Sequence, residues 1–211
     1  MRRKVVVASV VLVVTLASAV EAWLLFSSSP ARQLDSGTMD AASADYVAAA
    51  DSYSFSLTDQ DGHAVTNASY RGKWLIVFFG FTHCPDVCPT TLARVGAALD
   101  ELKIPVEDVQ VVLITIDPER DPPEVLAAYL KPFGPRFVGL TGTTNQLEAA
   151  NRNFRAYSQR QPAAADGSYT MQHSSYLYLV GPDGRFRRQI SSDATSSELA
   201  ATLSKSFASS S

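Results

Sequence analysis

The longest unbroken hydrophobic block lies at the start of the chain: Val5 to Phe26 reads VVVASVVLVVTLASAVEAWLLF, with Glu21 its only charge. At 1.5 Å per residue such a segment spans the hydrocarbon core of a bilayer, which needs about 20 residues. Arg2, Arg3 and Lys4 precede it and mark the cytoplasmic side. The expectation is an N-terminal transmembrane helix within residues 1–26, with the remainder of the chain carried across the membrane. Ala17-Ser18-Ala19 has the small-x-small form of a signal-peptidase site, so a cleaved signal peptide stays open as the alternative. Residues 27–50 are rich in Ser, Ala and Asp, contain Pro30 and show no apolar period, the pattern of a flexible linker.

From residue 51 to 207 the pattern alternates between strand and helix. Tyr53 to Leu57 predicts a short strand before the turn Asp59-Gln-Asp-Gly62. Trp74 to Phe79 (WLIVFF) is continuously apolar and β-rich, the mark of a central strand buried on both faces. Pro89 to Leu102 places Leu92, Val95, Leu99 and Leu102 at helical spacing. Val109 to Ile116 is a second β-branched run, Pro122 to Phe133 a helix opened by prolines, Phe137 to Leu140 a strand and Asn145 to Phe154 a helix. Ser175 to Val180 and Phe186 to Ile190 flank the turn sequence Gly181-Pro-Asp-Gly184 and predict a hairpin. Ser196 is the expected cap of a last helix with Leu199, Leu203 and Phe207 on its inner face. The whole is an α/β domain with a central mixed sheet flanked by helices. Residues 208–211 read as a disordered tail.

The net charge of −3 hides an asymmetry: 15 basic and 20 acidic residues lie beyond position 26. An acidic body excludes nucleic acid as a partner, because phosphate binding needs clustered Lys and Arg. With four residues ahead of the apolar block there is no Arg- and Ser-rich transit peptide. The expected location is therefore the bacterial inner membrane, with the domain in the periplasm.

The chain has two cysteines, four apart, in Cys84-Pro-Asp-Val-Cys88, between the buried strand WLIVFF and the following helix. If Cys84 occupies the first turn of that helix, the two share a face with Cβ atoms about 5–6 Å apart. Thiols so placed can chelate one metal ion, act as a redox pair or close a structural disulfide, and the helix N-terminus favours thiolate. Three histidines exist, His63, His83 and His173. His173 follows the polar segment Gln161 to Thr170, which is long enough to arch over the sheet edge where the cysteines lie. Two soft sulfurs and one imidazole suit copper, as Cu(I) or Cu(II), better than hard cations. Zinc would recruit a fourth ligand, and none is evident. His83 is expected to point away from Cys84 and His63 to be solvent-exposed. Met171 is assigned to core packing, and Asp117 to Asp121 to turn capping, Arg120 pairing or the site rim.

Four motifs in order then resemble the Sco/SenC family: Gly80-Phe-Thr-His-Cys-Pro-Asp-Val-Cys-Pro89, Ile116-Asp-Pro-Glu-Arg-Asp121, Val138-Gly-Leu-Thr-Gly142, and His173 ahead of Tyr178-Leu-Val-Gly-Pro-Asp-Gly184. The resemblance covers Tyr53 to Phe207. It implies a thioredoxin-like domain on a membrane anchor that binds one copper through Cys84, Cys88 and His173. It further implies a role in assembling the dinuclear copper centre of cytochrome c oxidase, by delivering copper or by keeping that centre's cysteines reduced. The implied partners are the copper-receiving oxidase subunit and other periplasmic copper chaperones. A thiol–disulfide oxidoreductase using Cys84 and Cys88 without obligatory copper is the alternative. One departure is Gln172, where the family has an acidic residue; it bears on the tuning of metal affinity, not on the ligand set.

Overall fold

The structure, a computed structural model, describes residues 53–208. The expected transmembrane segment within 1–26 and the expected linker 27–50 lie outside these residues. Among the described residues no helix is long and apolar enough to cross a membrane.

Two seven-residue strands form the centre, β3 (Trp74–Gly80) and β4 (Val109–Thr115), and every residue of both is buried. Their β-branched and aromatic side chains leave no polar face, which is the composition of a strand covered on both sides. They pair in parallel, Trp74 against Val109 through Gly80 against Thr115. β5 (Phe137–Thr141) adds in parallel to β4, whereas β8 (Tyr176–Val180) runs antiparallel to β3. β1 (Ser56–Asp59), β2 (Ala64–Thr66) and β9 (Phe186–Ser191) complete a mixed sheet of order β2-β1-β5-β4-β3-β8-β9. A separate hairpin, β6 (Ser158–Arg160) with β7 (Met171–His173), stands apart from it.

The helices are α1 (Val87–Glu101), α2 (Pro123–Leu130), α3 (Thr144–Phe154) and α4 (Ser196–Ala208). On one face of the sheet Phe79 and Tyr178 each meet Phe154 of α3 with ring centroids 5.4 Å apart. Trp74, Phe78 and Gly80 alternate to the other face, toward α1 and α4, where Trp74 packs 4.7 Å from Phe207. The expected mixed sheet flanked by helices is thus present. Several boundaries differ. The first strand begins at Ser56, not Tyr53, because the Tyr53 ring instead stacks on Phe186 at 4.1 Å. Thr195, not Ser196, caps α4: its hydroxyl accepts from the Glu198 N–H, and the Glu198 carboxylate accepts from the Thr195 N–H, a reciprocal capping box. α4 includes Ala208, expected to open the tail, and residues 209–211 lie outside the described residues.

α2 sits on β5 at Gly139, where an added Cβ would lie 2.7 Å from Leu126 Cβ and 3.0 Å from Leu130 Cδ1. Gly139→Ala is therefore expected to push α2 off the sheet and cost about 1–3 kcal/mol. Denaturant unfolding would read this as a lower midpoint with an unchanged slope.

Candidate metal centre

β3 ends at Gly80, and the chain turns through Phe81 to Asp86 before α1. Cys84 is not in the helix: it sits three residues ahead of Val87 and is half-buried, while Cys88 is fully buried inside the first turn. The residue before a proline is driven out of the α region, and Pro85 follows Cys84. The two cysteines still meet, because the Cys88 N–H donates to Cys84 Sγ at 3.4 Å. One orphan donor of the helix N-terminus is satisfied by the other cysteine's sulfur. Both thiols are free.

Gly80 makes this packing possible, since a Cβ there would stand 2.9 Å from Cys88 Sγ. Asp121 fixes the turn. Its fully buried carboxylate accepts from the Thr82 N–H (3.0 Å), the Thr82 hydroxyl (2.6 Å) and the Thr115 hydroxyl (2.6 Å). Having given its proton to Asp121, the Thr82 hydroxyl accepts from His83 Nδ1 at 3.1 Å, which turns the exposed His83 ring outward.

His173, the last residue of β7, brings its imidazole to the same edge: Nε2 is 3.9 Å from Cys88 Sγ. Nδ1 lies 2.9 Å from the Ser174 carbonyl, which can only accept, so Nδ1 carries the proton and the Nε2 lone pair faces the thiol. Phe78 and Phe81 stand edge-on to the ring at 5.9 and 6.2 Å between centroids. Burial pushes the His173 pKa down, partly opposed by the Ser174 carbonyl, so the ring is neutral at pH 7. Burial likewise pushes the Cys88 thiol up, against a backbone hydrogen bond from Phe81, with Cys84 and Asp121 adding to the rise. For Cys88, then, the expected thiolate-favouring helix terminus loses to desolvation, and the sulfur gives up its proton only to a strong competitor such as a metal ion.

A first-row metal about 2.0 Å from nitrogen and 2.3 Å from sulfur puts ligand atoms roughly 3.5–4 Å apart. The Cys88–His173 separation already meets this. With Cys84 added, the two sulfurs and the ring nitrogen do not all lie within 4.8 Å of one another, so closing on an ion would require a small approach. The one trio of described residues that close is Asp59, Asp61 and His63, on an exposed turn. There the Asp59 carboxylate accepts from the Asp61 and His63 N–H groups, and turn capping accounts for it. Met171 packs against the core, as expected. Gln172 is exposed and faces Gln161 across the hairpin at 3.4 Å. Sequence reading missed Tyr129, whose buried hydroxyl has no hydrogen-bond partner and whose pKa is pushed up by burial and by Cys88, Cys84 and Asp121. Only the burial of its helix face was available to signal it.

A mixed sheet flanked by helices, with one cysteine just before the first long helix, a second in its first turn and a histidine facing them, defines a thioredoxin-like protein. The family profile SCO1/SenC matches residues 44–208, and the chain belongs to that family. The human mitochondrial protein SCO1 homolog is 40% identical over 151 residues, covering 71% of this chain and 50% of that protein. The crystal structure of Arabidopsis thaliana ScoI with copper bound is 35% identical, with a TM-score of 0.70 over 74% of this chain and 97% of that one. BsSco, a member of the Sco family of cytochrome c oxidase assembly proteins in which a disulfide switch has been identified, is 26% identical. Its TM-score is 0.56 over 72% of this chain and 90% of its own. The chain spans about half the length of the curated relatives it matches.

Proposed function

We propose that this protein is a copper metallochaperone of cytochrome c oxidase assembly, holding one copper ion, its cargo, with Cys84, Cys88 and His173. The observation that carries the reading is His173 Nε2 standing 3.9 Å from Cys88 Sγ, beside a second thiol. Two sulfurs and one imidazole favour copper over hard cations, and the copper-bound ScoI fold matches almost the whole described domain. A three-donor site with a half-exposed Cys84 leaves a side open, so a recipient's thiol or imidazole can enter and take over the ion one ligand at a time. The recipient we infer is the oxidase subunit that receives copper, with other periplasmic copper chaperones upstream. Val5 to Phe26 and the basic residues before it support a single-pass anchor in a bacterial inner membrane, with the domain in the periplasm.

A second reading, thiol–disulfide exchange with partner cysteines, is favoured by the disulfide switch of BsSco and by the adjacency of the two sulfurs here. In that role Cys84 is the accessible attacking sulfur, because Cys88 is buried and its thiol is hard to ionise.

Copper stoichiometry, dissociation rate and absorption spectrum, measured on the reduced chain and on His173→Ala, test the reading. One copper per chain with thiolate-to-copper charge transfer is expected. Loss of one of three donors should weaken retention at least tenfold, or about 1.4 kcal/mol. Equal retention by His173→Ala would remove the histidine from the site; no copper but a reversible Cys84–Cys88 disulfide would transfer the function to thiol exchange.

A further inference from the structure

We propose that Tyr169, gripped between the guanidinium groups of Arg120 and Arg160, is the positioning residue that holds His173 against the two cysteines and so governs how long copper is retained. The proposal rests on the copper reading above for its functional consequence, though not for its geometry. β6 and β7 form a two-stranded hairpin outside the main sheet, and an isolated hairpin is marginal in water. Its far end nevertheless carries one of the three donors, so something must fix the hairpin to the body.

Asn151 of α3 donates to the Ser158 hydroxyl at 2.8 Å, at the open end of the hairpin; a second and more extensive fixing point lies four residues before His173. Arg120 Cζ is 3.7 Å and Arg160 Cζ 3.6 Å from the centroid of the Tyr169 ring. Two guanidinium groups that close to one centroid would collide on a single face, so they occupy opposite faces. The Tyr169 hydroxyl donates to Asp117 at 2.8 Å, and its carbonyl accepts from Arg120 Nη1 at 3.1 Å. Arg120 Nε also donates to the buried Asp117 at 2.5 Å, and Arg160 pairs with Glu119 at 2.9 Å. Tyr169 is thus held at its hydroxyl, its carbonyl and both ring faces, in every case by residues 117–120 or by its own hairpin.

That loop continues into Asp121, which anchors the cysteine turn, and Arg120 also lies 5.8 Å from the ring of Phe81, one wall of the His173 pocket. One short segment therefore locates both halves of the site. Arg160 pairs with Met171 and Ser158 with His173 across the hairpin, so motion at the clamp is transmitted to the imidazole within two residues. None of the three clamp residues offers a soft donor, and their effect on copper acts through His173.

The test has two independent readouts on the full chain. In the metal-free protein, modification of His173 by diethyl pyrocarbonate, mapped by mass spectrometry against exposed His63, should accelerate about tenfold in Tyr169→Ala and stay within about twofold of wild type in Tyr169→Phe, which keeps both cation–π faces. With copper loaded, release to a chelator should be about tenfold faster in Tyr169→Ala, with no further acceleration when His173→Ala is already present. Unchanged His173 reactivity overturns the clamp even if copper binds as proposed; raised reactivity in a chain that holds no copper upholds the clamp and rejects the copper reading. An equal acceleration of copper release in the His173→Ala background also overturns it, since the effect would then bypass the imidazole. If Tyr169→Ala does not fold, Arg160→Gln, which strips one ring face from an exposed position, decides by the same modification rate: about threefold faster supports the clamp, and no change overturns it.

Discussion

Replacing Asp121 with alanine is expected to lower both stability and copper retention more than any other single change outside the donor set. Three donors converge on that carboxylate, two from Thr82 in the cysteine turn and one from Thr115 at the end of β4. Hydrogen bonds to a charged acceptor contribute about 1.5–3 kcal/mol each, without being additive, and the orphaned donors add a desolvation cost. A loss of roughly 3–5 kcal/mol is expected. In a domain of this size each kcal/mol moves Tm by about 2–4 °C, so a fall of roughly 6–20 °C should be seen by calorimetry. Asp121→Asn keeps the shape and one acceptor, and the Thr82 hydroxyl can rotate to accept from the new amide; about half the loss should return. Should Asp121→Ala melt within a degree of wild type, the cysteine turn is held by something other than this carboxylate.

The same residue shows where sequence reading stops. Asp121 belongs to a segment legible as important, but its partners lie 39 and 6 positions away, and no spacing rule connects them. By contrast β3 was readable because WLIVFF is continuously apolar, β4 because it is a β-branched run, and α1 because Leu92, Val95 and Leu99 recur at helical spacing and all prove buried. β6 and β7, three residues each of Ser-Gln-Arg and Met-Gln-His, carry no strand pattern; they pair through their backbones, and side-chain contacts such as Asn151 to Ser158 and Arg120 to Tyr169 meet the hairpin from elsewhere in the chain. The approach of His173 to the cysteines was nevertheless legible, since its loop had the length to reach the sheet edge and the chain offers few imidazoles. Two signals were present and overlooked. Pro85 excludes Cys84 from the helix, and Thr195 with Glu198 three residues on is a capping box.

The electrostatics of the pair were not legible at all. Spacing places both sulfurs near a helix N-terminus, where thiolate is favoured, but only the fold shows that Cys88 lies against Gly80 with no exposed surface. Burial then outweighs the helix terminus and gives the two cysteines different characters: Cys84 reachable from solvent, Cys88 a buried thiol beside a neutral imidazole. An arrangement of that kind resists casual thiol exchange at Cys88 while leaving Cys84 available to an incoming ion or partner.

Gly80→Ala probes that arrangement most directly. The added methyl would stand 2.9 Å from Cys88 Sγ and 3.1 Å from both Leu113 Cδ1 and Phe78 Cε1, closed in on three sides at the end of a fully buried strand. Cys88 Sγ is the nearest of the three and the contact too short to stand, so it is the group that must yield, and moving its sulfur alters the 3.9 Å approach to His173. Overpacking of this kind costs about 1–3 kcal/mol in stability. Copper dissociation, followed by transfer to a chelator, should accelerate tenfold or more, because a strong soft-donor site depends on where its buried sulfur sits. Gly96 supplies the control. It lies in α1, the helix that carries Cys88, and a Cβ there meets nothing nearer than Phe137 Cζ at 3.5 Å, an ordinary contact. Gly96→Ala should therefore stabilise the domain by about 0.5–1 kcal/mol through helix propensity and leave copper release unchanged. If the two alanines affected copper alike, the sensitivity would belong to α1 as a whole; if only Gly80→Ala does, the space reserved for Cys88 Sγ is what sets the site.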